Sequence, residues 1–334
     1  MNIVGKKSNP LKVFLAIKSR LNFNKKHALN RTSTILWKLF RFFLLFGLSF
    51  ILLYPLLYSL SVAFRPYDEL FDPSVVWIPK HFTLYNIKDA FQAMDYVNSL
   101  LRTIHLNVVS SVLELISCAL AGYGFARFNF KGKGILFVMM LFTVIVPNQT
   151  TIIPMFVSFR YFDFFGLGKI VSLITGSNMS INLIDTNWTF YIPSMLGVGL
   201  RAGLFIYIFR QFFRGLPKEL EDAAYIDGCG PFSTFLRVMV PSSMQAFLTV
   251  FILSLVWHWN EYYLTTMFFL NKWTISTSLS GMVNHVNSVG GLNPYGTVCQ
   301  MQAGSLLAIL PVLLMYIILQ KYFTESIERT GIVG

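Results

Sequence analysis

Ionisable side chains are scarce among the apolar runs of this sequence, so those that occur there mark where chemistry is to be sought. In the stretch beginning at Phe251, Ser254, Trp257, His258, Glu261 and Thr265 recur at i, i+3, i+4 and i+7 and share one face of an expected helix. A sugar needs this mixture, with Asn260 beside it: flat rings for its C–H faces, carboxylate and amide groups for its hydroxyls. Trp and Tyr also collect at membrane interfaces, so a solute path and an external aromatic belt both remain open here. Glu114 joins Asn107, Ser110, Ser111, Ser117, Cys118, Ala121 and Gly122 on one small or polar helical face. Packing between helices and a place on the solute path are both compatible with that face. A charge near the centre of a bilayer costs roughly 2.5–3.5 kcal/mol even on a mild insertion scale, so it is not there idly. Pro147 and Pro154 flank Asn148, Gln149, Thr150 and Thr151, which reads as a kinked, partly unwound helix facing protein or water. The candidate solute path is therefore Glu114, Asn148, Gln149, Trp257, His258, Asn260 and Glu261.

A second group of residues lies in a charged loop. Pro217 suits the first position of a helix, and Glu219, Glu221 and Asp222 favour its positive N-terminal end. Ala223 and Ala224 leave one face flat enough for close docking. Gly228 suits the left-handed cap that stops the helix, and Pro231 opens another. On these grounds alone the segment is equally a short amphipathic helix lying on the membrane surface.

Motifs for catalysis are missing. No G-x-x-x-x-G-K-[ST] occurs, and Gly132-Lys133-Gly134 lacks both the leading glycine and the hydroxyl residue. None of the 5 histidines completes H-E-x-x-H, and Cys118, Cys229 and Cys299 form no C-x-x-C pair. The expectation is no catalytic residue, no metal site and no cofactor bound by this chain.

The elements that must position these residues are membrane helices. Of 334 residues, 54% are hydrophobic and 13% charged, 33 are Phe, and the mean hydropathy is +0.58. A soluble domain carries about 25% charged residues, so an aqueous fold is excluded. Six stretches are long and apolar enough to span: about 38–63, 103–126, 134–157, 190–213, 244–269 and 302–323. The net charge of +12 is concentrated before position 42, where Lys6, Lys7, Lys12, Lys18, Arg20, Lys25, Lys26, Arg31, Lys38 and Arg41 meet no acid. Such a block ahead of an apolar run marks the cytoplasmic side and can touch anionic lipid. No stacking platform or groove-reading motif accompanies it, so nucleic acid is not the partner. Arg127, Lys131 and Lys133 mark a second inner loop, whereas the acid-rich stretch Arg65 to Asp95 reads as external. Parity then places 214–243 inside and the Gly- and Ser-rich loops near 159–189 and 270–301 outside. The expected organisation is a basic arm (1–37), a six-span domain (38–323) with the inner loop 214–243, and a short tail (324–334), both termini cytoplasmic.

Residues 216–241 resemble the EAA loop of the membrane subunits of binding-protein-dependent ABC importers. The match is carried by Asp222, Ala223, Ala224, Asp227, Gly228, Val238, Val240 and Pro241, with Asp222 standing where that family usually has glutamate. Tyr54-Pro55, Asn98-Ser99, Ala121-Gly122-Tyr123 through Phe130-Lys131-Gly132, Phe209-Arg210-Gln211-Phe212-Phe213, Trp259-Asn260 and Gln320-Lys321-Tyr322-Phe323 are similar to the carbohydrate branch, of maltose-transporter type. The long N-terminal arm and the stretch near 168–189 depart from that pattern. The resemblance implies an all-α polytopic type I importer permease of about six spans in a bacterial cytoplasmic membrane. It implies that Glu221, Asp222, Ala223, Ala224, Asp227, Gly228 and Pro241 belong to a loop that couples to an ATPase. It also implies the partners: a second homologous permease, two ATPase subunits that bind ATP and Mg, and an extracellular or periplasmic solute-binding protein. An oligosaccharide is the expected solute, with a polyol or glycerol phosphate as the alternative. A membrane subunit of a sensory or regulatory complex is the competing function.

Overall fold

The computed structural model describes residues 10–164, 166, 168, 170, 180–289 and 294–330, with side chains outside the description at 10–33, 148, 283–289, 294–296, 319 and 321–330. Among the described residues the protein is helical, with one isolated antiparallel bridge between Phe162 and Ile181 and no strand. The chain divides into two compact units, 1–59 and 60–334. The first unit is helix α1 (Pro10–Ala63) up to Ser59, and its described residues from Thr34 onward are almost all exposed and mostly apolar. A helix that is apolar all round belongs in lipid or against other apolar helices.

The second unit holds α2 (Tyr85–Ala93), α3 (Tyr96–Arg127), α4 (Lys133–Ile145), α5 (Ile152–Arg160), α6 (Trp188–Met195) and α7 (Ala202–Gly215). It continues through α8 (Glu219–Ile226), α9 (Pro231–Ser242), α10 (Met244–Trp259), α11 (Tyr263–Phe268), α12 (Ile275–Val289) and α13 (Pro294–Thr330). Thr34–Ala63, Tyr96–Arg127 and Thr297–Ile318 are continuous and apolar enough to cross a membrane. At 1.5 Å per residue each exceeds the roughly 30 Å of a hydrocarbon core.

The other three expected spans are broken. The stretch 134–157 divides at Val146, whose extended backbone is what a following proline imposes, and a single 3-10 turn at Asn148–Thr150 leads into α5. The kink read from Pro147 is present. The stretches 190–213 and 244–269 were expected as single helices and are not. Gly197 and Arg201 adopt left-handed backbones (φ 68° and 64°) between α6 and α7, which no right-handed helix accommodates. Asn260 closes α10, and Glu261 starts a new helix by accepting the Leu264 N–H at 2.8 Å. The segment 270–301, expected as a loop, contains α12.

Helix α3 is the axis of the unit, and it is turned inside out relative to a soluble helix. Ser99, Thr103, Asn107, Ser110, Ser111 and Glu114 are buried, whereas Val112, Ile116 and Leu120 are exposed. In lipid the apolar face needs no cover, and the small polar face lets neighbours approach. Thr103 Oγ1 accepts the Ile275 N–H at 2.9 Å and Ser99 Oγ meets Ser278 Oγ at 2.8 Å, binding α12 to α3. Gly122 brings α3 against α7: a Cβ there would meet Phe209 Cβ at 2.5 Å and the Arg210 amide at 3.0 Å. Around that crossing Tyr123, Phe205, Phe209, Phe213 and Phe235 form an aromatic core. Gly199 and Gly203, a G-x-x-x-G pair, serve different neighbours. Gly203 packs on Thr143 and Met140 of α4, and Gly199 on Glu114 and Ser194.

Candidate functional site

Two sites emerge from the expected residues. The first is a cleft of about 520 Å³ between the break after α4, the turn before α7 and the end of α10, within the range of small-molecule sites. Gln149, Arg201, Trp257, Asn260, Glu261 and Tyr263 line it, so it combines two aromatic rings with amide, carboxylate and guanidinium groups. Each broken helix contributes. Interrupting a span frees polar backbone that is tolerated only beside protein or water, and here the interruptions surround one cavity. A larger groove of about 1110 Å³ shares Val144, Val146 and Arg201 with this cleft but is lined mainly by apolar residues of the Met139–Ile206 region. The convergence of polar groups points to the smaller cleft.

Of the seven solute-path residues expected from sequence, the structure brings together Gln149, Trp257, Asn260 and Glu261. The Asn148 side chain lies outside the described residues. Glu114 and His258 are elsewhere. Glu114 is fully buried, its Oε2 accepting the Ser254 hydroxyl at 2.8 Å, and Ser254 Oγ stands 3.0 Å from Ser111 Oγ. His258 Nδ1 donates to the Ser254 carbonyl at 2.9 Å and lies 3.9 Å from Glu114 Oε2. These contacts fasten α10 to α3, while His258 also borders a separate small cavity with Ser194 and Gly199. The single helical face expected from Ser254 to Thr265 is thus divided. Ser254 and His258 turn toward α3, Trp257 and Glu261 reach the cleft, and Thr265, beyond the break, returns its hydroxyl to the Glu261 carbonyl at 2.6 Å.

Arg201 was not among the expected residues. Its guanidinium carbon sits 4.1 Å from the Trp257 ring centroid. The only hint in the sequence was a lone arginine beside Gly197 and Gly199 within an otherwise apolar stretch.

The second site is the loop helix α8. Glu221 is turned inward: the Tyr123 hydroxyl donates to its Oε1 at 2.9 Å, and Arg127 Nε lies 3.1 Å from its Oε2. Arg127 also donates to the Leu216 carbonyl at 2.7 Å. Ala224 is buried, whereas Asp222, Ala223, Asp227 and Gly228 are exposed and Ile226 is 86% exposed. Gly228 holds the left-handed backbone expected of it (φ 82°), with its own N–H bonded to Tyr225 O and the Cys229 N–H to Ala224 O at 2.9 Å. Pro217 precedes the Lys218 cap instead of occupying the first helical position, and Pro231 opens α9 as expected. Helix α9 passes through a π turn at Phe235–Met239, then meets α10 at Ser243 with a bend of 79°. Pro241 lies just ahead of that bend.

Comparison with known proteins places this architecture. The arabinooligosaccharides transport system permease protein AraQ of Bacillus subtilis (strain 168) is 29% identical over 298 residues, 86% of this chain and 92% of that protein. The trehalose transport system permease protein SugB of Mycobacterium tuberculosis is 25% identical over 84% of this chain and 93% of its own length. A solved bacterial ABC transporter involved in the import of the acidic polysaccharide alginate superposes with a TM-score of 0.64 at 18% identity, covering 96% of this chain and 100% of its own. That likeness shows the fold, the type I importer permease. Residues 118–329 match the family model described as the binding-protein-dependent transport system inner membrane component. The match runs from the polar face of α3 through the cleft, the anchored loop helix and α13, and on that evidence the chain belongs to the binding-protein-dependent transport system inner membrane component family, as a permease subunit whose ATP is hydrolysed by separate subunits.

Proposed function

We propose that this chain forms half of the path for an oligosaccharide in an ATP-driven importer, and that α8 is its contact with an ATPase subunit. The observation that carries the coupling reading is the two-sidedness of α8. Glu221 and Ala224 anchor it inward, while Asp222, Ala223, Ile226 and Asp227 present a free face with a small centre. A helix held on one side and bare on the other transmits force from whatever docks on it. The cleft supports the saccharide reading, since rings, amides and a carboxylate converge there, and relatives named for arabinooligosaccharides and trehalose lie in the same direction. A second permease completes the path, a solute-binding protein delivers from outside, and the termini and 214–243 face the cytoplasm.

Reconstitution with two ATPase subunits, the second permease and the binding protein tests this. Saccharide-loaded binding protein is expected to stimulate ATP hydrolysis, and Ala223→Trp is expected to abolish that stimulation while the permease pair still assembles. Stimulation that survives Ala223→Trp removes α8 as the contact. Orientation is checked in cysteine-free protein: an impermeant thiol reagent should label Asn271→Cys, but not Asp227→Cys, in intact cells.

A further inference from the structure

The cleft contains a cation that the fold holds in an expensive position. Arg201 has a left-handed backbone (φ 64°), a conformation glycine adopts freely and an arginine only under constraint. Among the described residues no carboxylate lies within ion-pair distance of it. Glu261 interacts with it electrostatically across the cleft, but Glu261 Oε1 is committed to the Leu264 N–H at 2.8 Å. What Arg201 has instead is the face of Trp257, 4.1 Å away. That ring is also the best stacking surface in the cleft for a sugar. A sugar that stacks on the covered face displaces the guanidinium. A neutral sugar removes the cation–π contact and offers the guanidinium only hydroxyl acceptors, with no opposite charge. A carboxylate returns a charge-assisted, bidentate pair, which is stronger than the exposed cation–π contact it replaces.

Resting on the saccharide reading above, we propose that Arg201 reads a carboxylate on the solute, so that the cleft favours uronate-bearing oligosaccharides over neutral ones. The carboxylate draws the guanidinium from Trp257, and the freed ring takes the C–H face of the sugar. Gln149, Asn260 and Tyr263 remain for its hydroxyls.

The test uses the assembled transporter in proteoliposomes with its binding protein and ATPases. Uptake is compared for a uronate-containing trisaccharide and for the same trisaccharide with its carboxylate reduced to hydroxymethyl. The wild type is expected to prefer the acidic sugar. Arg201→Gly, which also relieves the backbone, should lower uptake of the acidic sugar at least tenfold more than uptake of the neutral one. Arg201→Lys, which keeps the charge but not the two-pronged fork, should keep only part of the preference. A wild type that prefers the neutral sugar, or an Arg201→Gly variant that loses both in parallel, overturns the proposal while leaving saccharide import intact. If neither sugar is carried nor stimulates ATP hydrolysis, the saccharide reading falls and this inference with it.

Discussion

Arg127 Nε lies 3.1 Å from Glu221 Oε2, both side chains nine-tenths covered, so an ion pair joins the end of α3 to the first turn of the loop helix. The Tyr123 hydroxyl donates to the other Glu221 oxygen, and Arg127 Nη2 donates to the Leu216 carbonyl. The same helix α3 carries Glu114, which is tied to α10 through Ser254. A push on α8 thus has a polar connection into α3, and through it to the helix whose end borders the cleft.

Removing one partner of a covered ion pair strands the other, at about 3–5 kcal/mol. Glu221→Gln and Arg127→Gln are each expected to loosen the loop. Cys229 is half-buried at the end of α8, while Cys118 and Cys299 are buried, so thiol labelling of the purified protein reads this out directly. Both variants should label faster at Cys229. The exchange of Arg127→Glu with Glu221→Arg should recover part of the loss, and a double variant no better than the sum of the singles would count against a direct pair.

Gly228 has open space around it, so a Cβ there meets nothing within 4 Å. The cost of Gly228→Leu is then conformational, roughly 1–2 kcal/mol for a left-handed backbone, added to a bulky group on the presented surface. Insertion is expected to be normal and saccharide-stimulated ATP hydrolysis lost. Gly228→Asn, which tolerates this backbone, should retain more activity. Equal activity in Leu and Asn variants would show that neither the turn nor the surface matters.

Gly122 and Gly203 have the opposite problem. Their Cβ positions are occupied by Phe209 and by Thr143. Overpacking costs about 1–3 kcal/mol, so Gly122→Val and Gly203→Val should lower the thermal midpoint in detergent, whereas Gly124→Ala, in open space on the same α3, should not.

Much of this was legible because the periodicities are strong. The α3 face from Asn107 to Gly122 is the buried face, and the Gly228 cap and Pro231 start lie where their conformational preferences put them. What was not legible followed from backbone that breaks the period. Nothing in the composition of 244–269 announces that α10 ends at Trp259, because the stop depends on Glu261 capping a new helix, and a carboxylate in an apolar run reads equally well as a path residue. Arg201 is illegible for a related reason: a non-glycine left-handed residue follows from its surroundings and not from its type.

The acid-rich segment before α2 gives a prediction with a pH axis. Burial of Glu69 opposes its ionisation, but the His81 side chain at 2.6 Å and the backbone N–H groups of Lys80 and His81 outweigh that and hold its carboxyl below the ordinary value. The Lys80 ammonium at 2.6 Å, aided by Ser74, holds Asp72 well below the usual carboxylate range. Depressed folded values mean that these contacts contribute fully above the unfolded values, about 4. The contribution is lost only as the pH falls through the lower folded ones. Amide exchange over residues 67–83, corrected for intrinsic rates, should therefore stay protected from pH 7 down to about pH 4. Glu69→Gln should lose protection already at pH 7. Loss of protection in the wild type between pH 6 and 5 would contradict this account.

Glu261 has two separable duties, and two substitutions separate them. Its Oε1 accepts the Leu264 N–H at 2.8 Å, which starts α11, and its carboxylate lines the cleft opposite Arg201. Glu261→Gln keeps an acceptor for the cap and discards the charge. Glu261→Ala discards both, at about 1 kcal/mol for the cap. If capping is its whole contribution, the glutamine variant behaves as wild type and only the alanine variant loses thermal stability. If the charge also balances Arg201 during solute passage, the glutamine variant keeps its stability and protein level but changes solute-dependent ATP hydrolysis, with basal hydrolysis intact. The second pattern is the expected one. Among the described residues Glu261 is the one carboxylate lining the cleft that holds Arg201, Gln149 and Trp257, so its removal leaves that cation unbalanced beside the ring proposed to stack on the sugar. A glutamine variant indistinguishable from wild type in both assays would reduce Glu261 to a helix cap and leave Arg201, Trp257, Asn260 and Gln149 as the groups that meet the solute.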